Sequence, residues 1–139
     1  MRRHVVLLGD SIPENAAYVP REDPLIDHLR EEMPVTQVIP RFRDDYATML
    51  DTVLRLGRNT VVCTIHDQCP FRVAEWRMLV PTALQVFNEC ILGLAEERSV
   101  QVIELRDICV DPEDYSALSP IEPSSLGMIK IAAAVILAL

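Results

Sequence analysis

Three short runs of aliphatic and β-branched residues constrain this chain most: "HVVLL" (4–8), "NTVVCTI" (59–65) and "VQVIEL" (100–105). Each is nearly continuous in apolar character, which suits a strand covered on both faces, as in a parallel sheet. Parallel neighbours cannot be joined by a tight hairpin; each pair needs a crossover of roughly a dozen residues or more, usually helical.

The segments between the runs have that helical character. "DPLIDHLREEM" (23–33) reads as a helix, with Asp23 as cap, Pro24 at the first helical position and Leu25, Ile26 and Leu29 on one face. The spacing of Phe42, Tyr46, Met49, Leu50, Val53 and Leu54 predicts a second helix that stops at Gly57. Residues 73–79 predict a short helix, and Pro81 opens a longer one carrying Leu84, Phe87, Ile91 and Leu94. Ser124 and Ser125 can cap a final apolar helix. "PVTQVIP" (34–40), bracketed by prolines, reads as a short strand. Strand and helix thus alternate without an internal repeat, and 139 residues fit one domain, 1–139. The expectation is an α/β sandwich with a mainly parallel sheet.

Composition excludes several function classes. The formal net charge of -8 argues against a binder of nucleic-acid phosphates. No apolar run reads as long enough to cross a bilayer, and no export signal follows Arg2, Arg3 and His4, so neither a membrane nor secretion is expected. Cys63, Cys69, Cys90 and Cys109 are accordingly expected to be free thiols of a cytoplasmic protein. Cys63, His66 and Cys69 lie three residues apart, but no second cluster completes a four-ligand zinc set, so neither metal nor cofactor is expected. Trp76, Met78 and Leu79 read as packing residues.

In a parallel sheet the carboxyl ends of the strands share the edge where ligands bind. Ser11, the pair His66 and Asp67, and Asp107 all follow strand runs and so are expected on that edge. Gly9-Asp10-Ser11 can display a hydroxyl nucleophile, the serine amide facing a developing oxyanion, although small polar residues also end strands routinely.

The longer pattern "VVLLGDSIPENAAYV" resembles the first sequence block of the GDSL, or SGNH, hydrolases, whose nucleophilic serine follows Gly-Asp. "RFRDDYATMLDTVLRLGRNTVVCTI", "VFNECILGLAEERSVQVIELRDIC" and the closing "DYSALSPIEPSSLGMIKIAAAVI" are similar to later units of a bacterial branch with Ile-Glu-Pro-Ser in that last segment. The resemblance implies a three-layer αβα sandwich, flavodoxin-like but with fewer strands, and a serine hydrolase acting on a small ester or acyl substrate through Asp10-Ser11. The blocks that give the family its oxyanion glycine and asparagine are not recognisable, as if a strand-helix-strand portion were removed. Aligned through Pro123 and Gly127, the family's base histidine is replaced by Glu122 and its orienting aspartate by Ser119.

Two residues then compete for the role of base. An ordinary glutamate, with a pKa of about 4.3, is a poor base at neutral pH, and Glu122 can instead stabilise the start of the last helix. His66 is the other. With the intervening strand gone, runs 4–8 and 59–65 can be neighbours roughly 4.8 Å apart, bringing His66 towards Ser11, with Asp67 or Asp107 nearby. The alternative reading is a non-catalytic SGNH-like binding or assembly domain, or a shortened product of a longer enzyme. Under any of these, strand edges and apolar surface left by the missing portion can be covered by forming a homo-oligomer.

Overall fold

In the computed structural model, described here for residues 35–138, two of the apolar runs pair as parallel strands. Strand β1 (Val61–Cys63) lies beside β2 (Gln101–Ile103), with Val62 opposite Val102. Both are shorter than the runs 59–65 and 100–105, although the Thr64 amide donates to the Ile103 carbonyl at 3.1 Å and extends the ladder by one bond. The run 4–8, the helix expected over 23–33, Asp10 and Ser11 lie outside the described residues. Mixed helices around a small parallel sheet make the described part α/β.

Helix α1 (Val35–Leu54) precedes β1, helix α2 (Ala74–Glu97) makes the crossover to β2, and helix α3 (Ser125–Ala138) follows two 3₁₀ turns, Leu105–Asp107 and Pro112–Asp114. The strand expected over 34–40 is instead the start of α1. Val38, Phe42 and Tyr46 recur every four residues, so the helical period of the following segment runs backward through Val38 and outweighs the β-branched character of Val38 and Ile39. Pro40 lies within the helix, at the loss of one backbone donor. The helix ends at Leu54 in a turn that closes on the expected stop, Gly57, whose amide donates to the Leu54 carbonyl at 3.0 Å and whose φ of 60° is left-handed.

The short helix over 73–79 and the longer one opening at Pro81 are a single helix, α2, with Pro81 inside it. Pro81 cannot donate to the carbonyl one turn back, but the Thr82 hydroxyl donates to the Met78 carbonyl at 2.8 Å, so a side chain joins this turn. By length and composition α2 could cross a bilayer, contrary to the expectation that no apolar stretch was long enough. Its second half is nonetheless core, burying Asn88, Ile91, Leu94 and Ala95.

Ile91, Leu94 and Ala95 meet Leu50 of α1 and Val62 of β1 in one buried cluster, flanked by Phe42, Tyr46, Leu54, Val100 and Val102. Phe42 and Phe87 lock the two helices edge to face, with ring centroids 4.8 Å apart. The end of α2 is tied to α1 by Arg98, which grips Asp51 through two bonds of 2.6 and 3.2 Å. By contrast, Trp76, Met78 and Leu79, expected to pack, are exposed on the first half of α2. Among the described residues the sheet is two three-residue strands, about 10 Å long, too short to lie beneath the whole of a 24-residue helix of about 36 Å.

Candidate active site

The site is built at the carboxyl ends of β1 and β2, which the parallel pairing puts on one edge. Thr64, 1 % exposed, joins the two ends. Its hydroxyl donates to the Glu104 carboxylate and accepts from the Leu105 amide at 2.9 Å. Glu104 in turn holds Arg106, with Nε at 2.7 Å from Oε1 and Nη2 at 2.5 Å from Oε2. The Arg106 pair, then the Thr64 bond, lower the Glu104 carboxyl to about 2 against the opposing effect of partial burial. Glu104, followed by the weaker fields of Asp67 and Asp107, raises Arg106 further. The two expected aspartates therefore do reach one charged edge, but what they face there is Arg106.

Beyond Thr64 the chain leaves the sheet, and Asn88 of α2 holds it. Asn88 has no exposure; its Oδ1 accepts from the Ile65 amide at 2.7 Å and its Nδ2 donates to the Ile65 carbonyl at 2.8 Å. One side chain thus offers Ile65 the acceptor and donor that a neighbouring strand would offer. The next residue is His66. Its Nε2 lies 2.8 Å from the carbonyl oxygen of Ile121, and its ring meets Tyr115 in a T-shaped contact at 5.3 Å. Tyr115 is itself fixed, its hydroxyl donating to the Cys109 carbonyl at 2.9 Å.

Glu122 follows Ile121 directly, so the His66 ring contacts the backbone one residue before the other candidate base. Glu122 sits in a tight turn: its amide donates to the Ser119 carbonyl at 3.3 Å and its carbonyl accepts from Ser116 at 2.7 Å. Capping of α3 belongs to Ser124, whose hydroxyl accepts from the Gly127 amide at 3.2 Å. Among the described residues, neither Asp67 nor Asp107 bonds His66; the Ile121 carbonyl holds that ring. Ser11 and Asp10 lie outside the described residues, so their distance from His66 is not part of this geometry.

Below the turn, Asp114 and α3 form a polar knot. Asp114 is fully buried; its Oδ2 accepts from the Asp111 amide at 3.1 Å, and Lys130 Nζ lies 2.7 Å from its Oδ1. Lys130 is the largest cause that holds the Asp114 carboxyl below the usual carboxylate range. Gly127 packs against this knot so closely that a Cβ there would stand 2.2 Å from the Asp114 carbonyl oxygen.

Burial holds three of the thiols in the weakly nucleophilic protonated form. All four cysteines are free, burial raises Cys63 and Cys109, and burial, then the Asp67 charge, push Cys69 up to about 11. Among the described residues no group of three His, Cys, Asp or Glu side chains could hold a metal ion.

Asn88, Thr64, Asp114 and Lys130 escaped the reading of the sequence. For Asn88 a signal existed: a polar residue on the apolar stripe Leu84, Ile91 and Ala95 must find partners if that stripe is buried. For Asp114 it was "DPED", a capping-box pattern that the Pro112–Asp114 turn realises. No protein-family model, curated protein or solved structure matches this chain.

Proposed function

We propose that this chain is an SGNH-type serine hydrolase domain, a three-layer αβα sandwich of reduced strand number, acting on a small ester or acyl substrate. Ser11 attacks the carbonyl carbon as its proton passes to His66, which gives it to the departing alcohol; water, losing its proton to His66, then attacks the acyl-enzyme, and that proton returns to Ser11 as the acid leaves. The observation that carries the reading is the junction of His66 with the closing segment at Ile121 and Glu122, on the edge where the strand ends point. The pattern "LLGDS" supplies the nucleophile by resemblance to the family. The free thiols support a reducing, cytoplasmic setting. With the family's glycine and asparagine donors unrecognised, turnover is expected to be slow, since one oxyanion donor is worth about 10²–10³ in rate.

A second reading is favoured by a different observation. Trp76, Met78 and Leu79 on α2, and Ile129, Ile136 and Leu137 on α3, are exposed apolar side chains of the kind that protein contacts cover. This is the non-catalytic binding or assembly domain, with self-association as its simplest form.

One experiment separates them: labelling by a fluorophosphonate probe and hydrolysis of a short-chain p-nitrophenyl ester, each beside Ser11→Ala. Labelling that disappears in Ser11→Ala is the outcome expected of the hydrolase. Equal background from both proteins defeats that reading, and sedimentation as a dimer would then favour the assembly domain.

A further inference from the structure

Within the hydrolase reading, on which this step rests, we infer that His66 works through Nδ1, oriented by the Ile121 carbonyl, with Asn88 as a positioning residue. The first part follows from what a carbonyl can do. It accepts hydrogen bonds and cannot donate them, so the 2.8 Å contact puts the ring proton on Nε2. The neutral imidazole then has its lone pair on Nδ1, and only that atom can take up a proton. The backbone oxygen of the closing segment thereby orients the ring, the task a carboxylate performs in a Ser-His-Asp triad. A neutral carbonyl stabilises the imidazolium less than a carboxylate would, which fits slow turnover.

The second part follows from where the ring is anchored. His66 lies beyond the last strand residue, in a segment without a ladder of its own. Its position is set on one side by Asn88, fully buried and spending both amide atoms on Ile65, and on the other by Ile121 and Tyr115. Losing Asn88 frees the residue adjacent to the base while leaving the ring's own contacts chemically intact. Asn88 therefore acts on His66 through the backbone and touches no reacting atom.

The test uses the full chain, labelled with ¹⁵N, in a long-range ¹H–¹⁵N correlation at mildly alkaline pH. His4, His28 and His66 give the signals, and His66→Gln identifies the one of interest. The expected pattern at His66 is a single tautomer protonated at Nε2. A pattern protonated at Nδ1, or averaged between the two, overturns the assignment without any variant of the fold. Asn88→Ala, which loses both bonds to Ile65, is expected to average the His66 signal and to lower Ser11-dependent probe labelling at least tenfold. Asn88→Asp keeps the acceptor and is expected to fall between, and it decides the matter if Asn88→Ala does not fold. A folded Asn88 variant whose His66 signal is that of the parent overturns the positioning role. Absence of Ser11-dependent labelling in the parent defeats the hydrolase reading alone, because the tautomer is read without turnover.

Discussion

The cluster around Leu50, Val62, Ile91, Leu94 and Ala95 is closed by side chains that recur with a helical period on α1 and α2. The cluster around Cys69, Cys109 and Tyr115 is closed by loops, with Phe71, Ile108, Ile121 and the α3 residue Ile131 around it. The first holds two helices on a sheet chiefly by buried apolar area, so many positions share the task. The second is kept in shape by single polar contacts: Tyr115 to Cys109, His66 to Ile121, Asp114 to Lys130. The candidate active site belongs to the second. A base must be held at one angle, which apolar burial, being non-directional, does not fix. The comparison thus predicts different failures for the two clusters.

The largest effect is expected in the first. Leu94, 2 % exposed, is central to its cluster. Leu94→Ala should lower the unfolding free energy by about 3 kcal/mol, within the usual range of about 2–5 for a buried leucine. Because the loss is spread over α1, α2 and β1, amide exchange should quicken throughout those elements together. A loss under about 1 kcal/mol in urea unfolding would mean that this cluster does not carry the fold.

Gly127→Ala should act locally instead. Helix propensity alone favours alanine over glycine by about 1 kcal/mol. Here the added Cβ would stand 2.2 Å from the Asp114 carbonyl oxygen and 3.1 Å from its carbon, backbone atoms that cannot rotate aside. Overpacking of that kind costs about 1–3 kcal/mol, so the clash outweighs the propensity. The amides of Ser124 and Met128, bonded to Asp114 and Ser124, should lose exchange protection, while those of Thr64 and Val100 keep theirs. Loss of protection in both groups alike would erase the distinction between the clusters.

Acid gives a test of the polar contacts themselves. Glu104, lowered to about 2 chiefly by Arg106, and Asp114, lowered chiefly by Lys130, are both harder to protonate folded than unfolded. Unfolding therefore takes up protons in acid, and their contribution is present above the unfolded carboxylate values of 4.5 and 3.8. It is lost as pH falls through the lowered folded values. Unfolding free energy measured from pH 7 to pH 2 should decline below about pH 4.5. Glu104→Gln should flatten part of that decline, and Leu94→Ala should displace the curve without changing its slope. An unchanged slope in Glu104→Gln would remove Glu104 from this account.

Much of the first cluster could be read from the chain. The period Phe42, Tyr46, Leu50, Leu54 and the pair Ile91 and Leu94 follow from the one fact that apolar side chains repeat every 3.6 residues. The parallel pairing of β1 and β2 followed from the crossover between them. Prolines misled twice, because Pro40 and Pro81 are tolerated inside α1 and α2 where tertiary packing outweighs one lost bond. The site was legible only as an edge. His66, Asp67 and Asp107 could be put near it because they follow strand runs, whereas Glu122 entered only through the family resemblance. That His66 turns to a backbone carbonyl, and that Asn88 reaches Ile65, depends on contacts 55 and 23 residues apart in sequence, which no local period encodes.

The smallest expected effect concerns the turn that joins the first cluster to β2. Arg98 ends α2, and Ser99 follows with a φ of 54°, the left-handed region that glycine favours. Its amide bonds Glu96 at 3.1 Å while the Val100 amide bonds Ala95 at 2.8 Å, the paired closure of a Schellman cap with serine at the glycine position. Left-handed backbone costs a side-chain-bearing residue roughly 1–2 kcal/mol, whereas added glycine gives the unfolded chain entropy worth roughly 0.4–1 kcal/mol. Ser99→Gly should therefore stabilise by about 0.5 kcal/mol. Gly57, at φ 60° with nothing within 4 Å of the place a Cβ would take, provides the reverse test, since Gly57→Ser can meet no clash there and isolates the backbone cost. Opposite shifts of similar size in the two variants would confirm that backbone conformation alone sets these caps. A destabilised Ser99→Gly would instead mean that the Ser99 side chain stabilises the turn by more than its backbone strain.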